Sequence, residues 1–447
     1  MNLIDIKPIL FNIKYQIFRR QTMSFYRMLL KNEKLSLDEL AHINWVKRKA
    51  LLTHAYENSS FYHKKYSEAG LDPQDIRIDD DWNRIPILTR DNIKQHIDSI
   101  LTVQKKSINL MKFTTGGTTG VPVTTYSDRR VPYEALGWRM MRWWGINPED
   151  DGAFAWRMRH KPGISTLINK LAWWPTRKLR FDATFMTPTE ISVFLRAFNK
   201  LKPPLIQGYT GAIAHLAQYI LDNHLSVHNP KAVWVTSSPL NSIQRGYITR
   251  AFRAPVYDQY GSCEVRHISA QCQEKKALHM HYDSVHLEFV DDNAIPKPIG
   301  QKGRILITDL ENIVFPLIRY ENGDEGRALE GRCPCGISLP LMDAVAGRVS
   351  DNLRLPGGGT LNGEYLTTLF DSYPDSVKQF QVRQGRDYSI VVCYIPNPEC
   401  SNMAAVLLNV KRTLEVKTGY SVPVTMRPSE EIQHDRGKLR FVISEVE

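Results

Sequence analysis

Between residues 204 and 262 the chain alternates short apolar runs with helical ones. "PLIQGY" precedes "TGAIAHLAQYILDNH", "AVWVTSS" precedes "LNSIQRGYITRAF", and "APVYDQYGS" follows. A strand that returns through a helix pairs parallel with its predecessor, so this order predicts an α/β sheet with parallel or mixed strands. Before it, "LSLDELAHINWVKRKALLTHAYENSSFYHKKYSEAG" repeats apolar residues at a period of about 3.6, and Thr89 is set to N-cap "RDNIKQHI". After it, "VHLEFVDD", "GRILITDL" and "FPLIRYENGDEGR" read as strands, with Asn-Gly-Asp as turn chemistry. Beyond Gly347 two strands around a glycine turn, a helix and a further strand predict a small α+β unit. At 447 residues the chain exceeds what one core usually serves. The expectation is an α/β protein: a large N-terminal domain over 1–346 of mixed sheets and helices, with a helical start over 1–100, and a small α+β domain over 347–447.

Apolar residues make up 42% and charged residues 23%, as in ordinary globular chains. No apolar run reaches the roughly 18 residues that cross a bilayer. The start, "MNLIDIKPILFNIKYQIFRRQ", lacks the unbroken apolar core and cleavage site of a signal peptide. It reads as an amphipathic first helix, expected to pack on its own domain rather than to touch a membrane surface. Six cysteines without a secretion signal predict free thiols and a cytoplasmic protein. The net charge of +11 suits anionic partners. Nucleic acid is not expected among them, because no helix-turn-helix, RNA-recognition or zinc-finger signature is present and the basic residues are dispersed. A homodimer is compatible with the sequence.

Four stretches carry chemistry. In "TTGGTTGVP", glycines let backbone N–H groups turn toward one point and threonines add hydroxyl donors, as a phosphate nest requires. Gly-Lys-Ser or Gly-Lys-Thr is absent, which excludes the common NTPase loop. "YDQYGSCEV" puts Glu264 three residues after Gly261, and a carboxylate beside phosphate suits Mg²⁺. "FPLIRYENGDEG" presents Asp324 to accept from a ribose diol, and "HDRGKLRFV" presents Lys438 to neutralise developing charge. Each alone has a bland reading: a polar loop, a solvated glutamate, a hairpin turn, an exposed lysine.

In this order and spacing the four resemble the adenylate-forming superfamily of acyl- and aryl-CoA synthetases, in the phenylacetate-CoA ligase-like branch that includes capsular polysaccharide-associated relatives. The resemblance runs from about residue 80 to the end. It implies that Thr115, Gly116, Gly117, Thr118, Thr119 and Gly120 wrap the ATP phosphates. Tyr260 would lie against the adenine, with Gly261 beside it, and Ser237 and Ser238 would belong to the same nucleotide site. Glu264 would bind Mg²⁺, Asp324 would hold the ribose with Arg348 nearby, and Lys438 would assist adenylation. A hinge is implied at Ser350 in "GRVSD", about which the small domain turns between half-reactions. Three positions depart from the pattern: Val121 where this branch often has Lys, Ser238 where relatives tend to have Glu, and Ser350 where the hinge usually has Asp.

The implied reaction consumes ATP and a carboxylic acid and forms an acyl-adenylate. The acyl group then goes to coenzyme A, or to an amine in surface-polysaccharide assembly. A non-catalytic zinc-containing binding protein is the third reading. Trp138, Trp143, Trp144 and Tyr209 are candidates to line the acid pocket, at least two of them being core instead. Separately, Cys272 and His279 in "CQEKKALH" and Cys333 and Cys335 in "CPCG" offer three thiolates and one imidazole, the donor set of a closed structural zinc site. His281 is the alternative to His279.

Overall fold

A computed structural model of the chain describes residues 6–114, 123–156, 171–183, 186–237, 240, 242–345, 353–356, 360–361, 366, 369–370, 372–373, 376–398, 400–432, 434–435, 438–439 and 442–446. Two compact units result, Met1–Lys112 with Tyr126–Ala346, and Phe113–Thr125 with Gly347–Glu447.

The first unit opens with helices Lys7–Phe18, Arg20–Asn32, Leu37–Asn58, Ser60–Glu68 and Arg90–Ile100. Ser36 starts the third with a reciprocal capping box to Glu39. Thr89 caps the last one, its hydroxyl accepting from the Asn92 N–H at 3.1 Å. In chain order the strands before Ala346 are β1 (Leu110–Thr114), β2 (Thr124–Asp128), β3 (Gly152–Trp156), β4 (Lys178–Asp182), β5 (Leu205–Tyr209), β6 (Ala232–Thr236), β7 (Val256–Tyr260), β8 (Ser269–Gln271), β9 (Leu278–Met280), β10 (Val285–Val290), β11 (Gly303–Asp309), β12 (Tyr320–Gly326), β13 (Ala328–Leu329) and β14 (Leu341–Met342), with Phe113–Thr125 of β1 and β2 counted in the second unit.

Among the described residues nine strands share one sheet, in the order β13-β14-β9-β8-β7-β6-β5-β3-β4. The β4, β3, β5, β6 and β7 neighbours pair parallel; from β7 onward the pairing is antiparallel. Every residue of β6 is buried, as a parallel strand covered on both faces requires. Val233 and Val235 face a core with Ile213, Leu216 and Phe252 from the crossover helices. Ala232 and Trp234 face Met140, Trp143 and Trp144 on the other side. The alternation of two apolar environments follows from the strand's period of two.

A second sheet, β10-β11-β12, is antiparallel. Residue pairing runs from Arg304↔Glu325 to Leu306↔Glu321, so Asn322, Gly323 and Asp324 stand opposite Ile305 alone. Asn-Gly-Asp is therefore a bulge within β12, with Gly323 at φ +89°, and not the hairpin turn expected from its composition. Just before it, Arg319 is fully buried with φ +49°. Its guanidinium pairs with Glu288 at 2.9 Å and donates to the carbonyls of Asn83 (2.8 Å) and Ile85 (2.6 Å), while its backbone N–H donates to the Thr308 hydroxyl at 3.0 Å.

The second unit holds β15 (Leu353–Arg354), β16 (Thr360–Leu361), β17 (Val377–Gln384), β18 (Ile390–Pro396), helix Met403–Lys417, β19 (Val424–Pro428), β20 (His434–Asp435), β21 (Lys438–Leu439) and β22 (Val442–Ser444). Its main sheet runs β19-β18-β17-β22, and Val406, Val410 and Leu414 of the helix join the core of that unit.

Replacing Arg319 with Ala leaves Glu288 buried without its cation, a loss of about 3–5 kcal/mol. Urea unfolding of the Arg319→Ala chain, set against wild type, measures it.

Candidate functional site

In open α/β sheets ligands meet the carboxyl ends of parallel strands. Here β6 ends at Thr236 and β7 at Tyr260, with Thr236 paired to Gln259. Ser237, exposed and at φ +81°, and the Tyr260–Gly261 pair therefore stand at the ends of neighbouring strands. Gly261 has no room for a side chain, since a Cβ there would run into the Arg266 carbonyl. The loop after it is folded back: Ser262 N–H donates to the Val265 carbonyl at 2.8 Å, and Val265 N–H to the Ser262 hydroxyl at 3.0 Å. That turn carries Glu264 into a buried position.

Two hydrogen-bonded groups meet there. Tyr260 donates its hydroxyl to Asp324 Oδ2 at 2.9 Å. Asn322 Nδ2 donates to the Tyr260 oxygen at 2.8 Å and to the same Asp324 oxygen at 2.5 Å, and Asp324 N–H donates back to Asn322 Oδ1 at 3.1 Å. Burial, and next the Asp324 carboxylate, push the Tyr260 hydroxyl well above its ordinary range, so it remains a donor at neutral pH. In the other group, Tyr320 donates to Glu264 Oε1 at 2.9 Å and Arg90 Nη2 lies 3.7 Å from that oxygen. Arg90 arrives because Leu88 bridges to Tyr320 in parallel, with Leu88 N–H on the Arg319 carbonyl at 3.1 Å and Glu321 N–H on the Leu88 carbonyl at 3.0 Å.

Of the expected site residues, the fold thus brings Tyr260, Asp324 and Glu264 around the start and bulge of β12, with Gly261 in the loop between. Lys438 begins β21 in the second unit. Thr115, Gly116, Gly117, Thr118, Thr119, Gly120, Ser238, Arg348 and Ser350 lie outside the described residues. Asn322, Tyr320 and Arg90 are additions. Asn322 and Tyr320 lie within the same "RYENGD" stretch that supplied Asp324; nothing local distinguishes Arg90. Trp138, Trp143 and Trp144 are core rather than pocket: Trp138 packs edge-on to Tyr15 and Tyr26, Trp143 donates to Glu33 at 2.7 Å, and Trp144 stacks on Tyr257. Tyr209 meets Trp156 edge-to-face at 4.7 Å.

Cys272, His279, Cys333 and Cys335 offer four donor atoms within 4.8 Å of one another. Cys272 and Cys333 sulfurs are 3.5 Å apart, and Cys335 Sγ is 3.4 Å from His279 Nε2. Tetrahedral bonds of about 2.1–2.3 Å space their donors by roughly 3.4–3.8 Å, so the set fits zinc. The other ring nitrogen of His279 faces the Leu339 carbonyl at 3.3 Å, which leaves Nε2 for a cation. Burial lowers the His279 pKa to about 4 and raises that of the Cys335 thiol to about 12. His281 is outside the cluster: its Nδ1 is 2.5 Å from Arg139, which binds Asp283 through two nitrogens at 2.8 and 3.0 Å.

No family model matches the chain. Among curated proteins it is similar to Protein CapK of Staphylococcus aureus, 23% identical, covering 99% of this chain and 98% of the relative. It is also similar to the phenylacetate-coenzyme A ligase of Thermus thermophilus, 22% identical, over 92% and 98%. Among solved structures, 2-hydroxyisobutyryl-CoA ligase in complex with 2-HIB-AMP and CoA in the thioesterification state superimposes with a TM-score of 0.67 at 20% identity, over 93% of this chain and 92% of that one. The chain thus has the fold of 2-hydroxyisobutyryl-CoA ligase, and its curated relatives include Protein CapK and phenylacetate-coenzyme A ligases.

Proposed function

We propose that this chain is an ATP-dependent, AMP-forming acid ligase of the cytoplasm. A carboxylate oxygen attacks the α-phosphorus of ATP, the bond to the β-phosphate breaks, and pyrophosphate leaves. The coenzyme A sulfur then attacks the acyl carbon and AMP departs. The observation that carries the reading is the Tyr260–Asn322–Asp324 network beside buried Glu264 at the end of the parallel sheet. Asp324 is pre-oriented to accept from the ribose hydroxyls, and the Tyr260 ring to meet the base. Glu264, an oxygen donor held by Tyr320, suits Mg²⁺ accompanying ATP; when bound, that ion neutralises phosphate charge. The resemblance assigns the phosphates to Thr115–Gly120, with Ser237, Ser238 and Arg348 on the nucleotide. It assigns the charge-stabilising cation to Lys438. In this reading the chain divides after residue 346 and turns about Ser350 between half-reactions.

The alternative acceptor is an amine. Pyrophosphate exchange over a panel of carboxylic acids identifies the acid, and product mass with and without CoA identifies the acceptor. A CoA thioester is the expected product; absence of exchange with every acid favours a binding protein instead. Asn322→Ala is expected to raise the KM for ATP about tenfold or more, as loss of a hydrogen bond to a charged group does. Lys438→Ala is expected to slow adenylation about 10²–10³-fold, and unchanged exchange removes the role given to Lys438.

Cys272, His279, Cys333 and Cys335 hold, on this proposal, a structural zinc ion that clips the loop between β8 and β9 to the loop before β14. Purified protein should carry about one zinc per chain, and a chelator should lower its melting temperature. A Cys335→Ser chain that retains full zinc overturns the ligand set.

A further inference from the structure

The first helix has two apolar faces. Phe11 and Tyr15 point inward, against Trp138 and its neighbours. On the opposite side Ile6, Ile9, Ile13 and Ile17 follow at three- and four-residue spacing, which makes one stripe on a helix. All four are more than half exposed, from 52% to 67%, and Phe18 at the helix end is 75% exposed. Leu171 and Trp174, also exposed, are tied to this helix by Lys14, whose ammonium donates to the carbonyls of Ala172 (2.5 Å) and Trp174 (2.6 Å). A clustered apolar surface of this kind marks an interaction site, where scattered single residues would not.

Charge indicates what covers it. Residues 6–32 contain six Lys and Arg and no Asp or Glu. Lys7 is matched by Asp151 at 2.6 Å and Arg19 lies 3.9 Å from Glu134, but Arg20, Arg27 and Lys31 are exposed. A second copy docked face to face would bring two such basic segments together. An anionic lipid surface would meet the isoleucines together with exposed Arg20, two residues beyond Phe18, and Trp174 has the amphipathic ring that favours the headgroup level. Among the described residues no helix is long and apolar enough to cross a membrane. We propose that the Ile6–Phe18 face, with Leu171 and Trp174, lies in the plane of an anionic membrane surface. The proposal is independent of the ligase reading.

Flotation of the full-length chain with vesicles of phosphatidylcholine containing about one third phosphatidylglycerol tests it. The chain should float with these vesicles and bind about tenfold or more weakly to phosphatidylcholine alone or in high salt. Ile13→Glu with Ile17→Glu should lose vesicle binding with an unchanged melting temperature, because both side chains are exposed. Arg20→Glu with Arg27→Glu should weaken binding to the anionic vesicles alone. Failure of the native chain to float, or equal flotation of the isoleucine double variant, overturns the proposal. So does a sedimentation dimer that the isoleucine variant turns into monomer, since the face is then a subunit interface.

Discussion

One buried cation organises the geometry around the candidate site. Arg319 is engaged by Glu288 of β10 and by the Asn83 and Ile85 carbonyls of the helical region, and its backbone N–H is held by Thr308 of β11. These contacts set where β12 begins. Tyr320 follows immediately and reaches Glu264; the bulge two residues later supplies Asn322 and Asp324. The same anchoring seats Leu88 beside Tyr320, which delivers Arg90. Burying such a pair is a poor route to stability in itself. Its effect here is positional, because an arginine whose guanidinium and backbone N–H are together committed to three chain segments leaves little freedom in their spacing.

A second buried arginine shows the same habit. Arg139 grips Asp283 with two nitrogens, Asn32 donates to that carboxylate at 2.9 Å, and His281 completes the group. The helical start of the chain is thereby bonded to the strand-rich core through polar contacts as well as apolar ones. This group also explains why His279 and not His281 joins the cysteines. The two histidines are two residues apart, and only His279 faces Cys335.

Much of the fold was legible because it rests on local signals. The β5, β6 and β7 runs, their crossover helices, the Thr89 cap and the paired β17 and β18 strands all follow from period and punctuation. The Cys/His cluster was legible because its donor types are distinctive. What was not legible depends on distant partners. Arg90 has no signal of its own and acquires a neighbour 174 positions away only through strand pairing. Asn-Gly-Asp has turn composition, and only the pairing with β11 makes it a bulge. The tryptophans near residue 140 are as compatible with a pocket as with a core until the helices Lys7–Phe18 and Arg20–Asn32 are seen to cover Trp138, and β6 and β7 to receive Trp143 and Trp144.

The two-faced burial of the parallel strands bears on how far this fold can drift. An interior strand position demands an apolar side chain of suitable volume, and many residues meet that demand. The strand ends are held to hydrogen-bond geometry, which few substitutions preserve. A chain built this way can exchange most of its letters and keep its shape. One-fifth identity with 2-hydroxyisobutyryl-CoA ligase at a TM-score of 0.67 is the outcome such a division of labour permits. By that reasoning the strand-end segments, more than the bulk of the core, are where substitution is least free.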